Sequence, residues 1–375
     1  MDTPLHACLT LIRTKNIGVT RFFELIDHYE TAERALKALP ELERHKKLSF
    51  SIDIPSQGKI NNEINATHAT GARFITYFDP LYPDALKHIP DPPPVLIVKG
   101  NIDLLNQPKI ALIGSRNASL NGQHYTSKLA KELGAQSYIC VSGLARGIDS
   151  AAHQASLKTG TIGVIAGGID HIYPSENTAL FNQMYEKGLV ITEMPIGSKA
   201  KAQDFPRRNR IVAGLSLGVV VIEAALKSGS LITARLANEY GRDVFSVPGS
   251  PLDPRSEGTN KLIQNGAKLI QSVNDILEDI TPLTKPYKES APQNSFDFSS
   301  EPQSIKDEPI PATTTNKLDT LILDILDHTP IETDLIIRKI ANTNNISPEK
   351  CLKTIISLEF SGAIIRHSGN KISKA

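Results

Sequence analysis

Tryptophan is absent from this chain of 375 residues, and aromatic residues make up only 5% of it. Any ring-stacking surface must therefore rest on a few Tyr and Phe. Cysteine is nearly as scarce. Cys8, Cys140 and Cys351 lie far apart; no CxxC or Cys/His spacing marks a zinc site, and no disulfide framework is expected, which fits a reducing, cytoplasmic setting. No run of about 18 apolar residues occurs, so no membrane span and no membrane partner are expected. The opening stretch MDTPLHACLTLIRTKN has no basic segment before its short apolar run, which predicts no signal peptide. Excess charge is missing too: 41 Lys and Arg face 40 Asp and Glu, a formal net charge of +1. That excludes a histone-like polycation but not a local basic patch.

What is present reads as a globular, multidomain protein. The hydrophobic fraction is 40% and the charged fraction 22%, and the length suggests two or three domains. Residues 1–70 read as a small helical domain. Leu5, Leu9, Leu11 and Ile12 form a helical stripe, Asn16-Ile17-Gly18-Val19 breaks it, and Phe22, Phe23, Leu25 and Ile26 begin a second helix. The pattern has the shape of a helix-hairpin-helix (SAM-like) element. Residues 71–280 alternate short β-branched runs, at 74–78, 95–98, 110–114, 138–142, 161–166, 190–192, 219–222 and 244–247, with helix-length segments. The runs lack polar/apolar alternation, which predicts a parallel sheet covered on both faces, an α/β core of extended Rossmann-like type. Residues 281–315 carry six prolines among many Ser and Thr and read as a disordered linker. Residues 316–375 read as three helices and a hairpin, a winged-helix pattern. With eight basic and seven acidic residues, this tail suits a protein partner at least as well as DNA.

The chemistry-bearing stretches fall at the ends of the expected strands. Ligands of parallel sheets bind beyond the carboxyl ends of strands, and Gly114-Ser115-Arg116 ends one: glycine for close approach, a hydroxyl and turn amides for phosphate, a planar fork for the same group. Ser142-Gly143-Leu144-Ala145-Arg146-Gly147 ends another, with Asp149 or Ser150 as helix N-cap and Asp149 placed to orient Arg146. Gly163 to Gly168 has P-loop glycine spacing but lacks the following Lys-Ser/Thr, which excludes a Walker site; Gly168 and the loop from Tyr173 to Asn177 join the same edge. Around Phe205, Arg207, Arg208, Asn209 and Arg210 the charge is densest, a local excess of +4 over residues 199–210. Pro206 predicts a loop leading into a helix. Positions 207 and 210 share a helix face, so some of these arginines are expected to pair with carboxylates such as Asp149 or Glu223. Phe205 is either a stacking platform or a core residue. Lys227-Ser228-Gly229-Ser230 forms an anion nest at a helix start. Anion-friendly turns on one edge, without a metal cluster or a nucleophile–base pair, suit a polyphosphate chain such as single-stranded nucleic acid.

The ordered set GSRNAS, VSGLARGIDSAAH, AGGIDHIYPSEN, ITEMPIG, FPRRNRIVAGLS and EAALKSGSLITARLANEYGRDVFSVPGS, followed by GTNKLIQNGAKLI, closely resembles the DprA/Smf (DNA-processing protein A) family from about residue 74 to 277. The resemblance implies an extended Rossmann core that binds single-stranded DNA, a homodimer, loading of the RecA recombinase during natural transformation, no cofactor and no catalysis. Its phosphate-binding features would fall on Gly114 to Arg116, Ser142 to Gly147, Arg207 to Arg210 and Lys227 to Ser230. Where relatives often carry Lys or Arg after Tyr-Pro, Ser175 and Glu176 stand here. The alternative is a nucleotide phosphoribohydrolase-like enzyme on a similar sheet. It would need a catalytic Glu after a Gly-Gly-x-Gly-Thr turn, where this chain has Ser-Gly-Ser-Leu-Ile-Thr.

Overall fold

The structure, a computed structural model, describes residues 3–44, 51–284, 317–327, 329, 331–344, 346–367 and 371–374. It divides into two units, Met1–Glu289 and Ser290–Ala375, each taken by itself below.

The first unit opens with four helices: α1 (Thr3–Arg13), α2 (Val19–Tyr29), α3 (Ala32–Arg44) and α4 (Gln57–Ala69). Asn16, at φ 67°, turns the chain out of α1, a conformation Asn tolerates better than most residues. Leu9 and Leu11 of α1, Phe22 and Ile26 of α2 and Leu39 of α3 are buried in one small core, so the expected stripes do face inward.

From residue 73 the chain alternates strand and helix: β1 (Arg73–Thr76), α5 (Asp84–Lys87), β2 (Val95–Gly100), β3 (Lys109–Ile113), α6 (Leu120–Ala135), β4 (Ile139–Ser142), α7 (Ile148–Ser156), β5 (Thr161–Val164), α8 (Thr178–Lys187), β6 (Leu189–Thr192), α9 (Asp204–Leu215), β7 (Gly218–Val221), α10 (Gly229–Glu239), β8 (Asp243–Ser246), α11 (Glu257–Gln264), β9 (Lys268–Leu269) and α12 (Val273–Thr284). All eight expected strands form, and the two-residue β9 is added. The sheet order is β1-β2-β6-β5-β4-β3-β7-β8-β9. Six strands from β6 through β8, with β9, run parallel. The expectation of a parallel sheet needs one correction: β1 pairs antiparallel with β2, and β2 antiparallel with β6. Burial on both faces looks alike in the sequence for either direction. What separates them is the connection, since the link over 77–94 between β1 and β2 holds only the four-residue α5 and not the full crossover helix that usually joins parallel strands.

Neighbouring residues of each central strand enter different cores. Ala111 and Ile113 of β3 join Val141, Val219 and Val221 on one face; Ile110 and Leu112 join Cys140 and Val220 on the other. That alternation, with apolar side chains both ways, is why the runs read as continuous. Strands β4, β5 and β6 extend from β3 on one side and β7 and β8 on the other, so the order reverses between β3 and β7.

Helix α9 is tied across this sheet by ions. Its Arg210 is buried and bonds Glu193, which follows β6, and Asp91, which precedes β2; Arg207 bonds the same Glu193 at 2.9 Å. On the other side, His153 of α7 is fully buried, with Nδ1 2.7 Å from the Thr161 hydroxyl. Burial, reinforced by the Arg208 charge, pushes its pKa down to about 3.

The second unit has α13 (Lys317–Ile325), β10 (Ile331–Glu332), α14 (Thr333–Asn344), α15 (Pro348–Phe360), β11 (Ile364–His367) and β12 (Lys371–Lys374). Its strands form an antiparallel sheet in the order β10-β12-β11, over a core that includes Ile322, Ile336, Cys351 and Ile355. The segment expected to be a linker, 281–315, lies outside the described residues from 285 onward.

Two consequences can be measured. Replacing Glu193 with Ala leaves the buried Arg210 without its closest carboxylate and should lower unfolding stability by about 3–5 kcal/mol; a urea denaturation curve within 1 kcal/mol of wild type, on the order of a surface change, would contradict this. His153 takes a proton near pH 6.5 when unfolded and only near 3 when folded, so the unfolded chain binds more protons between those values. Its contribution to stability is therefore full above pH 6.5 and is lost as pH falls toward 3. Denaturation midpoints should drop less between pH 7 and pH 5 in His153→Asn than in wild type, and parallel drops would count against it.

Candidate functional site

A cavity of roughly 840 Å³ opens at the reversal of strand order, where open α/β sheets bind ligands. Three turns line it: Gly114 to Asn117 after β3, Gly143 and Ala145 after β4, and Ala225 to Gly229 after β7. Helix α9 forms a further wall through Phe205, Arg208 and Asn209, and Ser230 of α10 closes it.

Glycine is required where these turns touch. A Cβ on Gly114 would come 2.6 Å from the Ile148 side chain. At Gly147, where φ is 76°, a Cβ would collide with the Ser115 carbonyl. Gly147 thus serves the site from behind, seating the β4 turn against the β3 turn, and it caps α7 without any side chain. Asp149 and Ser150, expected as N-caps, do other work. The Asp149 carboxylate accepts from the amides of Gly143 (3.1 Å) and Ala145 (3.3 Å). Ser150 donates to the Ala145 carbonyl at 2.6 Å. Asn177 is buried beside them and donates to the carbonyls of Leu144 and Ala145, so it shapes the turn without facing the cavity.

Arg208 enters beneath this turn from α9. Its Nη1 donates to the carbonyls of Gly143, at 2.6 Å, and Val164. The guanidinium fills the space a Gly143 side chain would need. Burial lowers the Arg208 pKa to about 10 against the pull of Asp149. The same burial pushes the Asp149 carboxyl above the usual carboxylate range, with Arg208, the Ala145 amide, the Ser142 hydroxyl and the Gly143 amide pulling it back.

The exposed cations are different. Arg116 lies over the Phe205 ring at 5.0 Å, and Phe205 meets Tyr173 at 5.8 Å between centroids. Arg, Phe and Tyr form a partly open stack on the cavity wall, so Phe205 is not a core residue. Across from it stand the exposed Lys227 and the start of α10, where the Ser228 hydroxyl accepts from the Ser230 amide and lies 2.6 Å from the Ser230 hydroxyl. Asn209 reaches toward the Gly229 carbonyl at 3.3 Å. Lys199 and Lys201 are exposed on the loop whose Ala200 and Ala202 line the cavity.

The structure thus brings Gly114, Ser115, Arg116, Gly143, Phe205, Arg208, Asn209, Lys227, Ser228, Gly229 and Ser230 to one cavity. Arg146 faces an adjoining one and pairs with Glu176, not with Asp149 as expected. Arg207 and Arg210 turn to Glu193. Ser142 is fully buried and donates to the Leu112 carbonyl, while Gly168 fits against Pro195 and Gly197. Pro206 does not precede the helix but sits in its first turn, where a missing N–H costs nothing. The sequence placed the loop of Tyr173 at this edge but not its ring in the site; an aromatic in a chain so poor in rings was the signal, and the ring is half-exposed. The carboxylates Glu193 and Glu223 near this edge are engaged, Glu193 with the two arginines and Glu223 with the Ser119 amide and hydroxyl. Among the described residues no group of three or more His, Cys, Asp or Glu could hold a metal.

Comparison with known proteins shows the family. Residues 73–281 match the family model for DNA recombination-mediator protein A, and residues 3–66 that for the DprA-like N-terminal HHH domain. Protein Smf of Synechocystis is 39% identical over 280 residues, covering 72% of this chain and 70% of the relative. DNA processing protein DprA of Bacillus subtilis is 45% identical over 62% of this chain and 79% of its own. The crystal structure of DNA processing protein A from Streptococcus pneumoniae superposes with a TM-score of 0.62 at 34% identity, over 73% of this chain and 96% of that one. A Helicobacter pylori DNA processing protein A, whose structure addresses its single-stranded DNA binding mode, gives 0.52 at 31% identity, over 56% and 96%. With its family model matched over more than half the chain, this protein belongs to the DprA/Smf family of DNA-processing recombination mediators.

Proposed function

We propose that this chain binds single-stranded DNA in the cavity between β3 and β7, protects it, and passes it to the RecA recombinase during natural transformation. The observation that carries the reading is the juxtaposition of an open Arg116–Phe205–Tyr173 stack with the anion nest of Lys227 to Ser230. Phosphates take the nest, the turn amides and the exposed cations. Bases take the rings, which accept any base because every base has a π-face. Arg208 and Asp149 form the floor and act through the turns they hold. This reading needs no covalent step, and the carboxylates Glu193 and Glu223 near the edge are committed to Arg207, Arg210 and Ser119. It acts in the cytoplasm as a homodimer. The domains run 1–70, 71–280 and 316–375, and the last is a winged helix whose balanced charge suits a protein partner.

Binding should weaken steeply with salt and favour single over double strands. Arg116→Ala should lower affinity by about 1–3 kcal/mol for all sequences alike, and Phe205→Ala by a similar 1–3 kcal/mol through lost stacking. A gel-shift titration with equal affinity for both forms of DNA, or with unchanged variants, refutes the reading. Deleting 316–375 should leave single-strand affinity nearly intact while weakening RecA-dependent strand exchange. A large loss of DNA affinity on deletion would make the tail itself a DNA-binding element.

A further inference from the structure

A second cavity of about 290 Å³ adjoins the first and shares Arg116, Tyr173 and Phe205 with it. Its charged groups are Arg116, Arg146 and Glu176, with His171 beside them. Arg146 leaves the β4 turn and Glu176 the loop before α8. Their side chains meet 3.5 Å apart, each more than half exposed at 54% and 59%. The other Glu176 oxygen lies 3.4 Å from the Ser175 hydroxyl.

An exposed pair at this distance adds little to fold stability. Its effect on a polyanion is larger in kind. The carboxylate offsets the charge of Arg146 and lies within reach of one nitrogen of its guanidinium. A phosphodiester that reaches Arg146 competes with Glu176 for it. We propose that Glu176 is an affinity-limiting residue, a counter-ion that withholds Arg146 from DNA and keeps the bound strand exchangeable. This inference rests on the reading of the site as a single-strand binder. The logic is that of a handover protein: a strand held by every available cation would not leave.

The test is fluorescence anisotropy of a labelled oligothymidylate against the full chain over a salt series, with Glu176→Gln, Arg146→Ala and the double variant. Glu176→Gln should bind about two- to fivefold tighter at low salt. Its slope of log affinity on log salt should be steeper by about 0.7, one further phosphate contact. The double variant should lose that gain, because it passes through Arg146, and the thermal midpoint of Glu176→Gln should match wild type. A wild-type chain that does not bind the oligonucleotide overturns the reading of the site itself. Wild-type binding with no gain in Glu176→Gln, or a gain that survives in the double variant, overturns the role of Glu176 alone.

Discussion

The binding edge depends on one buried guanidinium. Arg208 crosses from α9 beneath the β4 turn and holds the ends of two parallel strands through the carbonyls of Gly143 and Val164. Asp149 holds the same turn from the other side through its amides. Removing a charge from water is costly, so this arrangement persists only because the strand ends offer carbonyls and Asp149 offers a counter-charge. Position 143 must then be glycine, since any side chain would occupy the place of the guanidinium. The turns around the cavity are consequently formed before any ligand arrives, and binding does not have to pay for their ordering.

The five cations of residues 199–210 divide by what they touch. Arg208 is spent on backbone carbonyls and Arg207 and Arg210 on Glu193. Lys199 and Lys201 remain exposed on the loop at the cavity rim. The arginines of this basic run thus chiefly anchor α9, and the unpaired cations at the cavity come from separate turns, Arg116 after β3, Lys227 after β7, and Lys199 and Lys201 at the rim.

Much of the core was legible in the sequence. Eight unalternating β-branched runs could only be strands covered on both faces, and glycines at their ends could only be turns approached closely by something. Gly114, Gly143 and the run from Lys227 to Ser230 followed from that logic and do meet at one cavity. What was not legible is long-range partnership. Nothing near Glu193 says that it will take two arginines from a helix that starts eleven residues later, and nothing near Arg146 says that Glu176 will reach it. The antiparallel edge of β1 and β2 was hidden for the same reason: burial pattern reports faces, whereas direction depends on the connection. Tyr173 and Phe205 were both visible as residues, but their stacking arises only when the loop after β5 folds over the start of α9.

A net charge of +1 acquires meaning from this division. Arg116, Lys227, Lys199 and Lys201 carry no ion pair among the described residues, and they stand at one cavity or on its rim. Each neutralised phosphate of a single strand shifts the salt exponent by about 0.7, so four such contacts bound the exponent at about 3. In the proposed binding mode, contacts of that strength hold a strand at one place while leaving it responsive to competition. Wrapping DNA without regard to position requires an excess of cations over the whole surface, and with 41 Lys and Arg against 40 Asp and Glu this chain has none to spare. Near-neutrality therefore makes placement decisive: at this edge Arg207, Arg208 and Arg210 are held by Glu193 and by backbone carbonyls, and the cations left over are local enough to define a path.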